Sequence, residues 1–228
     1  MIIAGRKPFK EITESLEGFD SVLIVGCGTC VAICLAGGEK EVGILSAQLA
    51  IFSEMGGRTL NIGEATVERQ CDKEFLSELR RKVPDYGAVL SLACGVGVQF
   101  LSDMYPDTPV LPGVNTAFIG ANDDVGLWTE RCRMCNQCYL ALTGAVCPVT
   151  MCPKGLLNGP CSGMRGGMCE VDPAKPCAWR LIYERLENTG RLDQIKAIAP
   201  PQSHGLTTTP ARIAHKAYER RTPANESL

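Results

Sequence analysis

Histidine is nearly absent from this chain. Of 228 residues only His204 and His215 are histidine, and both fall in the C-terminal tail. Neither is read as a catalytic base or a metal ligand. No Ser-His-Asp set and no HExxH pair can be assembled, which excludes the hydrolases built on them. A Walker loop is missing, as is a clear flavin or nicotinamide fingerprint. Excess charge of one sign is missing too. The 23 Lys and Arg against 25 Asp and Glu give a net charge of −2, so nothing draws the whole chain to nucleic acid or an anionic membrane. No apolar run approaches the ~18–20 residues that cross a bilayer. The opening MIIAGRKPFKEI lacks the sustained apolar centre of a secretory signal. A cytoplasmic protein with no nucleic-acid and no membrane partner is expected.

What the chain has is cysteine. There are 13, five before residue 95 and eight after residue 131. A secreted disulfide scaffold is disfavoured by the odd count, the missing signal and the close spacing of the thiols. The densest stretch runs from Cys132 to Cys177 and holds Cys132, Cys135, Cys138, Cys147, Cys152, Cys161, Cys169 and Cys177. It opens as C-x2-C-x2-C, and Cys147 is followed by Pro148. Such spacing wraps three corners of a cubane cluster and leaves the fourth to a more distant cysteine. Eight thiols fill two four-ligand sites. Zinc also accepts four thiolates, so spacing alone leaves the metal open.

The first half alternates strands and helices. An amphipathic helix is expected over 8–19, with Phe9, Ile12, Leu16 and Phe19 on one face. The run Val22–Val25 reads as a buried strand, then a Gly26–Gly28 turn leads into a helix. A Rossmann phosphate loop is one reading of that turn, but its glycine pattern is incomplete and Cys27 and Cys30 would crowd a pyrophosphate. The loop reads better as one that presents thiolates. A helix follows over 39–55, then β-prone pieces at 58–62 and 66–69. Next come a helix from Asp72 to about Lys82, a strand at 88–93 and a last strand at 109–111. Strands alternating with helices predict a doubly wound parallel sheet, whose ligands bind beyond the carboxyl ends of the strands. Cys27, Cys71 and Cys94 each follow a candidate strand, so they should meet there, with Cys30 as fourth ligand of a [4Fe–4S] site and Cys34 as substitute.

Residues 113–131 show few periodic apolar positions and read as a link, with Trp128 packing the cysteine-rich module against the sheet. That module is rich in Gly and Pro and poor in aliphatics, so metal centres would supply its folding energy. A helix is expected over 178–188. Beyond it, the basic segment 212–221 has little core to join, and the tail is read as a partner-binding arm or as disordered. The expected organisation is an α/β domain over 1–120, a Cys-rich, loop-rich cluster-binding module over 121–190 and a tail over 191–228.

Six stretches carry a family resemblance: GCGTCVAICLAGGEKEV (26–42), VERQC (67–71), LACGVGVQ (92–99), ERCRMCNQC (130–138), TGAVCPVTMCPKGLLNGPC (143–161) and CEVDPAKPCAWRLIYERL (169–186). They resemble the methylenetetrahydrofolate reductase (MTHFR) C-terminal domain family, which includes the MetV-type iron–sulfur subunits of two-subunit reductases. The likeness spans about residues 1–200. It implies a non-catalytic electron-transfer subunit, inactive alone, that exchanges electrons with the flavin (FMN or FAD) of a MetF-type flavoprotein partner. The reaction implied is reduction of 5,10-methylenetetrahydrofolate to 5-methyltetrahydrofolate, in the methyl branch of the acetyl-CoA (Wood–Ljungdahl) pathway. Two to three [4Fe–4S] clusters are implied, with one site open to zinc and ferredoxin or a further subunit as electron donor. Within the later cysteines one division is Cys132, Cys135, Cys138 and Cys177 against Cys147, Cys152, Cys161 and Cys169; a ferredoxin-like exchange of Cys147 is equally open. A structural zinc scaffold and an adaptor for another oxidoreductase, such as a bifurcating complex, are the alternatives.

Overall fold

The computed structural model describes residues 1–203 and Ile213. The readings made for His204, His215 and most of the basic segment lie outside the described residues. The chain divides into two compact units, Met1–Arg131 and Cys132–Leu228.

The first unit is mixed α/β. Its centre is a parallel sheet of β2 (Ser21–Cys27), β3 (Asn61–Val67), β4 (Ala88–Leu92) and β5 (Val110–Pro112), in the order β3-β2-β4-β5. The apolar runs in β2 and β4 are buried on both faces, as inner parallel strands must be. Val22, Ile24, Leu90 and Leu92 join a core with Val42, Leu45 and Leu49 of helix α3 (Glu39–Met55). Leu23, Val25 and Val89 face the other way, onto Leu76, Leu79 and Leu101. Leu76 ends α4 (Lys73–Leu76), Leu79 lies in the 3-10 turn Ser77–Arg81, and Leu101 belongs to α5 (Gly95–Met104). Helices thus cover both sides of the sheet, and each large aliphatic so buried contributes roughly 1.5–3 kcal/mol.

Three expectations about local structure change. In place of two pieces at 58–62 and 66–69 there is one strand, β3, over Asn61–Val67, and its Gly63 packs so closely that a Cβ would strike the Tyr86 ring. The expected helix over 72–82 is shorter, four α-helical residues capped by Asp72 and then the 3-10 turn. Residues 113–131 are no link. They form an antiparallel hairpin, β6 (Val114–Asp124) and β7 (Leu127–Cys132), which turns at Gly126 with φ +75° and pairs through β6 with β1 (Ile2–Arg6). Ile3, Ala4 and Val114 bring this small sheet onto the α3-side core, with Trp128 packed at its margin. The helix α1 spans Phe9–Ser15, with Phe9 edge-on to Phe52 of α3.

The second unit has little regular structure. It holds α6 (Pro148–Met151), α7 (Ala178–Asn188) and a 3-10 turn at Leu192–Lys196. Trp179, Ile182 and Leu186, spaced three and four apart on α7, are buried with Val146 and Cys177. The Trp179 indole N–H donates to the Leu156 carbonyl at 2.9 Å. Residues after the helix stay attached. Asn158 and Ala199 exchange two hydrogen bonds, and the Tyr139 hydroxyl donates to the Pro200 carbonyl at 3.3 Å. Among the described residues no helix is long and apolar enough to cross a membrane.

Candidate metal centre

In the sheet β3-β2-β4-β5 the path out of β2 returns on one side as β3 and then crosses to β4 on the other. The reversal opens a crevice beyond the carboxyl ends of β2 and β4. Cys27 is the last residue of β2, level with Val67 of β3. Cys94 follows β4 and is the N-cap residue of α5, and Cys71 lies in the loop that leaves β3. Cys71 is exposed, and the partial desolvation left to its thiol, together with Cys27 and then Cys94, pushes it up, against a backbone hydrogen bond and the Arg69 guanidinium. A nearby cation would favour the thiolate form of Cys71. Cys30 begins α2 (Cys30–Ile33), half-buried, three residues after Cys27.

The local sequence explains how the strand end is held. The Cys27 N–H donates to the Gly37 carbonyl and the Gly28 N–H to the Val67 carbonyl, both at 2.9 Å. Gly37 is glycine for closeness: a Cβ there would fall 1.8 Å from the Leu92 carbonyl oxygen. The glycines of GCGTC…AGG therefore serve strand and loop packing rather than a phosphate cradle. Cys34 is placed differently from the other four thiols of this unit. It is buried, its sulfur accepts from the Ala4 N–H at 3.5 Å, and its thiol lies 3.4 Å from the Ala4 carbonyl. It ties α2 to β1.

Gln70, beside Cys71, escaped the sequence reading. It is wholly buried. Its amide nitrogen donates to the carbonyls of Val25 (2.9 Å) and Gly26 (3.1 Å), and its amide oxygen accepts from the Ser91 hydroxyl at 2.6 Å. Ser91 in turn accepts from the Ala93 N–H at 3.3 Å. A polar residue in a loop gives no periodic signal, and only the fold reveals its partners.

In the second unit four thiols line one cavity. Cys152, Cys161, Cys169 and Cys177 surround it together with Trp179 and Met164. Cys177 therefore lies with Cys152, Cys161 and Cys169. Cys177 is the buried N-cap residue of α7 and Cys152 is the C-cap residue of α6. Cys169 is fixed by its N–H donating to the Lys175 carbonyl at 2.9 Å, and Cys161 lies 3.8 Å from a Glu170 carboxylate oxygen. That carboxylate is paired with Lys154, which offsets its repulsion of thiolates. The void is about 20 Å³, the room of roughly one water-sized body. The C-x2-C-x2-C run is shaped by backbone instead of by a cavity. Met134 and Asn136, on either side of Cys135, have φ of +51° and +56°. Such left-handed non-glycine residues cost on the order of 1 kcal/mol or more each. The Met134 N–H points at the Cys132 sulfur, 3.4 Å away. Cys138 is exposed, and Cys147 caps α6 at its N-terminal end.

None of the thirteen cysteines forms a disulfide. Among the described residues no three His, Cys, Asp or Glu side chains close on a point that could hold a metal ion. The donor chemistry in both units, thiols above all, is of the kind that suits soft metals.

Residues 111–205, fewer than half of the chain, match a family model described as methylene-tetrahydrofolate reductase C terminal. The match begins in β5 and takes in the hairpin and the cysteine-rich stretch. The quoted motifs within residues 26–99 lie outside it. No curated protein and no solved structure matches the chain. A domain related to the C-terminal part of methylenetetrahydrofolate reductase is therefore present in this chain.

Proposed function

We propose that this chain is a MetV-type iron–sulfur electron-transfer subunit of a methylenetetrahydrofolate reductase, passing electrons to or from the flavin of a MetF-type partner. The observation that supports the reading is the placement of Cys27, Cys71 and Cys94 at or after the carboxyl ends of β2, β3 and β4 of one parallel sheet, in a chain whose later residues match the reductase C-terminal family. Reduction of 5,10-methylenetetrahydrofolate takes two electrons and two protons. The bond from the bridging carbon to one nitrogen breaks, the carbon becomes a methyl group and the freed nitrogen takes a hydrogen. A [4Fe–4S] cluster, when bound, supplies one-electron storage at a potential set by its ligands, burial and N–H···S bonds. Cys27, Cys30, Cys71 and Cys94 hold one cluster at the sheet edge. Cys132, Cys135, Cys138 and Cys147 form a second set with ferredoxin-like order, and Cys152, Cys161, Cys169 and Cys177 a third. The donor is a ferredoxin or a further electron-carrying subunit, and thirteen free thiols suit a reducing cytoplasm.

The test is anaerobic co-purification with a flavin-bearing barrel subunit. A brown complex that oxidises methyltetrahydrofolate with an artificial acceptor supports the reading. A colourless protein with stoichiometric zinc and no iron overturns it. Cys94→Ser should remove about four irons, one cluster's worth.

A second reading applies to the third set alone. Cys152, Cys161, Cys169 and Cys177 line one cavity, and four thiolates also suit a single tetrahedral zinc ion. Zinc at one per chain, lost in Cys169→Ser with iron unchanged, would establish it. Loss of iron in that variant would reject it.

A further inference from the structure

We infer that Gln70 is a positioning residue that sets the spacing of Cys27, Cys71 and Cys94 by bonding together the backbone segments that immediately precede them. The inference rests on the reading of those thiols as one cluster site. Gly26 precedes Cys27, Gln70 itself precedes Cys71, and Ala93 precedes Cys94. One amide reaches all three positions: directly to the Gly26 carbonyl at 3.1 Å, and through the Ser91 hydroxyl to the Ala93 N–H. Its second N–H goes to the Val25 carbonyl at 2.9 Å.

The geometry leaves this side chain little freedom. A buried amide is costly unless hydrogen-bonded, and here both donors and the acceptor are engaged. Rotation of the amide would face its oxygen toward two carbonyls, so its orientation is fixed. From outside it is held by α5. A Cβ on Gly97 would lie 2.9 Å from the Gln70 Cβ and 2.8 Å from the Ala93 Cβ, so the first turn of the helix rests directly on the clamp. An apolar residue at position 70 could fill the same space. Only a group with two donors and an acceptor can join β2, the Cys71 loop and β4 at the level of the thiols. Thiolate spacing and N–H···S geometry tune a cluster's potential, so the clamp acts on the site through backbone position.

The test uses the complete complex with its flavoprotein partner, purified anaerobically, and compares Cys94→Ser, Gln70→Met and Ser91→Ala with the parent. Iron content, the electron paramagnetic resonance spectrum after dithionite reduction, and Tm are read for each. Gln70→Met is expected to lose about four irons, one cluster, or to keep them with an altered spectrum and midpoint potential. Ser91→Ala, which leaves the packing almost unchanged, should alter the spectrum of the same cluster. Loss of Tm with parental iron, spectrum and potential in both variants would overturn the inference and leave Gln70 a stability residue. Should Gln70→Met fail to fold, Ser91→Ala decides by the same criteria. If Cys94→Ser keeps its full iron, the cluster reading fails and this inference with it. If Cys94→Ser loses a cluster while Gln70→Met and Ser91→Ala keep it unaltered, only the clamp is rejected.

Discussion

The two units present thiols by opposite means. In the first, Cys27 and Cys94 leave the ends of strands whose side chains are packed on both faces, and a buried amide fixes the third loop. In the second, thiols sit on helix caps and tight turns around a core of few side chains, with left-handed residues flanking Cys135. One arrangement is imposed by strands packed with apolar side chains on both faces. In the other the turns have little apolar backing, and an occupant of the thiols would contribute much of what holds them.

Chelation tests this contrast most strongly. Stripping metal from the anaerobic protein should abolish slow amide exchange in α7 while β2 and β4 stay protected. Equal loss in both units would erase the distinction. Next come the two cores. Trp179→Ala should cost the second unit about 3–5 kcal/mol, and Leu90→Ala should cost the first about 2–5 kcal/mol. Denaturant curves followed by probes in each unit should show each change confined to its own transition.

How much of this was legible follows from the same physics. β2 and β4 could be read because strands buried on both faces give unbroken apolar runs. β1, β6 and β7 could not, because only one side of each touches the core and most of β6 is exposed. The two β-prone pieces at 58–62 and 66–69 are one strand through Gly63, which packs against Tyr86. That Cys27, Cys71 and Cys94 lie at or just after the carboxyl ends of neighbouring parallel strands was legible from strand ends alone. The grouping of Cys177 with Cys152, Cys161 and Cys169 was not, because turns rather than a periodic element bring them together.

Smaller effects sharpen the picture within the first unit. Gly97→Ala should cost about 1–3 kcal/mol by overpacking against Gln70 and Ala93, visible as a lowered urea midpoint. Cys34→Ala should cost roughly 1 kcal/mol through its lost contacts to Ala4 and leave iron content unchanged; lost iron would make Cys34 a ligand. Smallest is Asp123, whose carboxyl is held below its usual range by hydrogen bonds from Arg131 and Thr129. A lowered carboxyl pKa stabilises the fold above the unfolded value and ceases to as pH falls through the folded one. Being exposed, Asp123→Asn should leave Tm at neutral pH unresolved from the parent.

The borders of the parallel sheet carry a last consequence. β5 is three residues long and ends in Pro112, which has no N–H to offer a neighbour. β3, at the opposite border, sets the exposed carboxylate of Glu64 in its middle. A short, proline-ended strand and a charged one are both poor templates for an incoming strand. Along either border the sheet therefore offers a neighbouring molecule little to pair with.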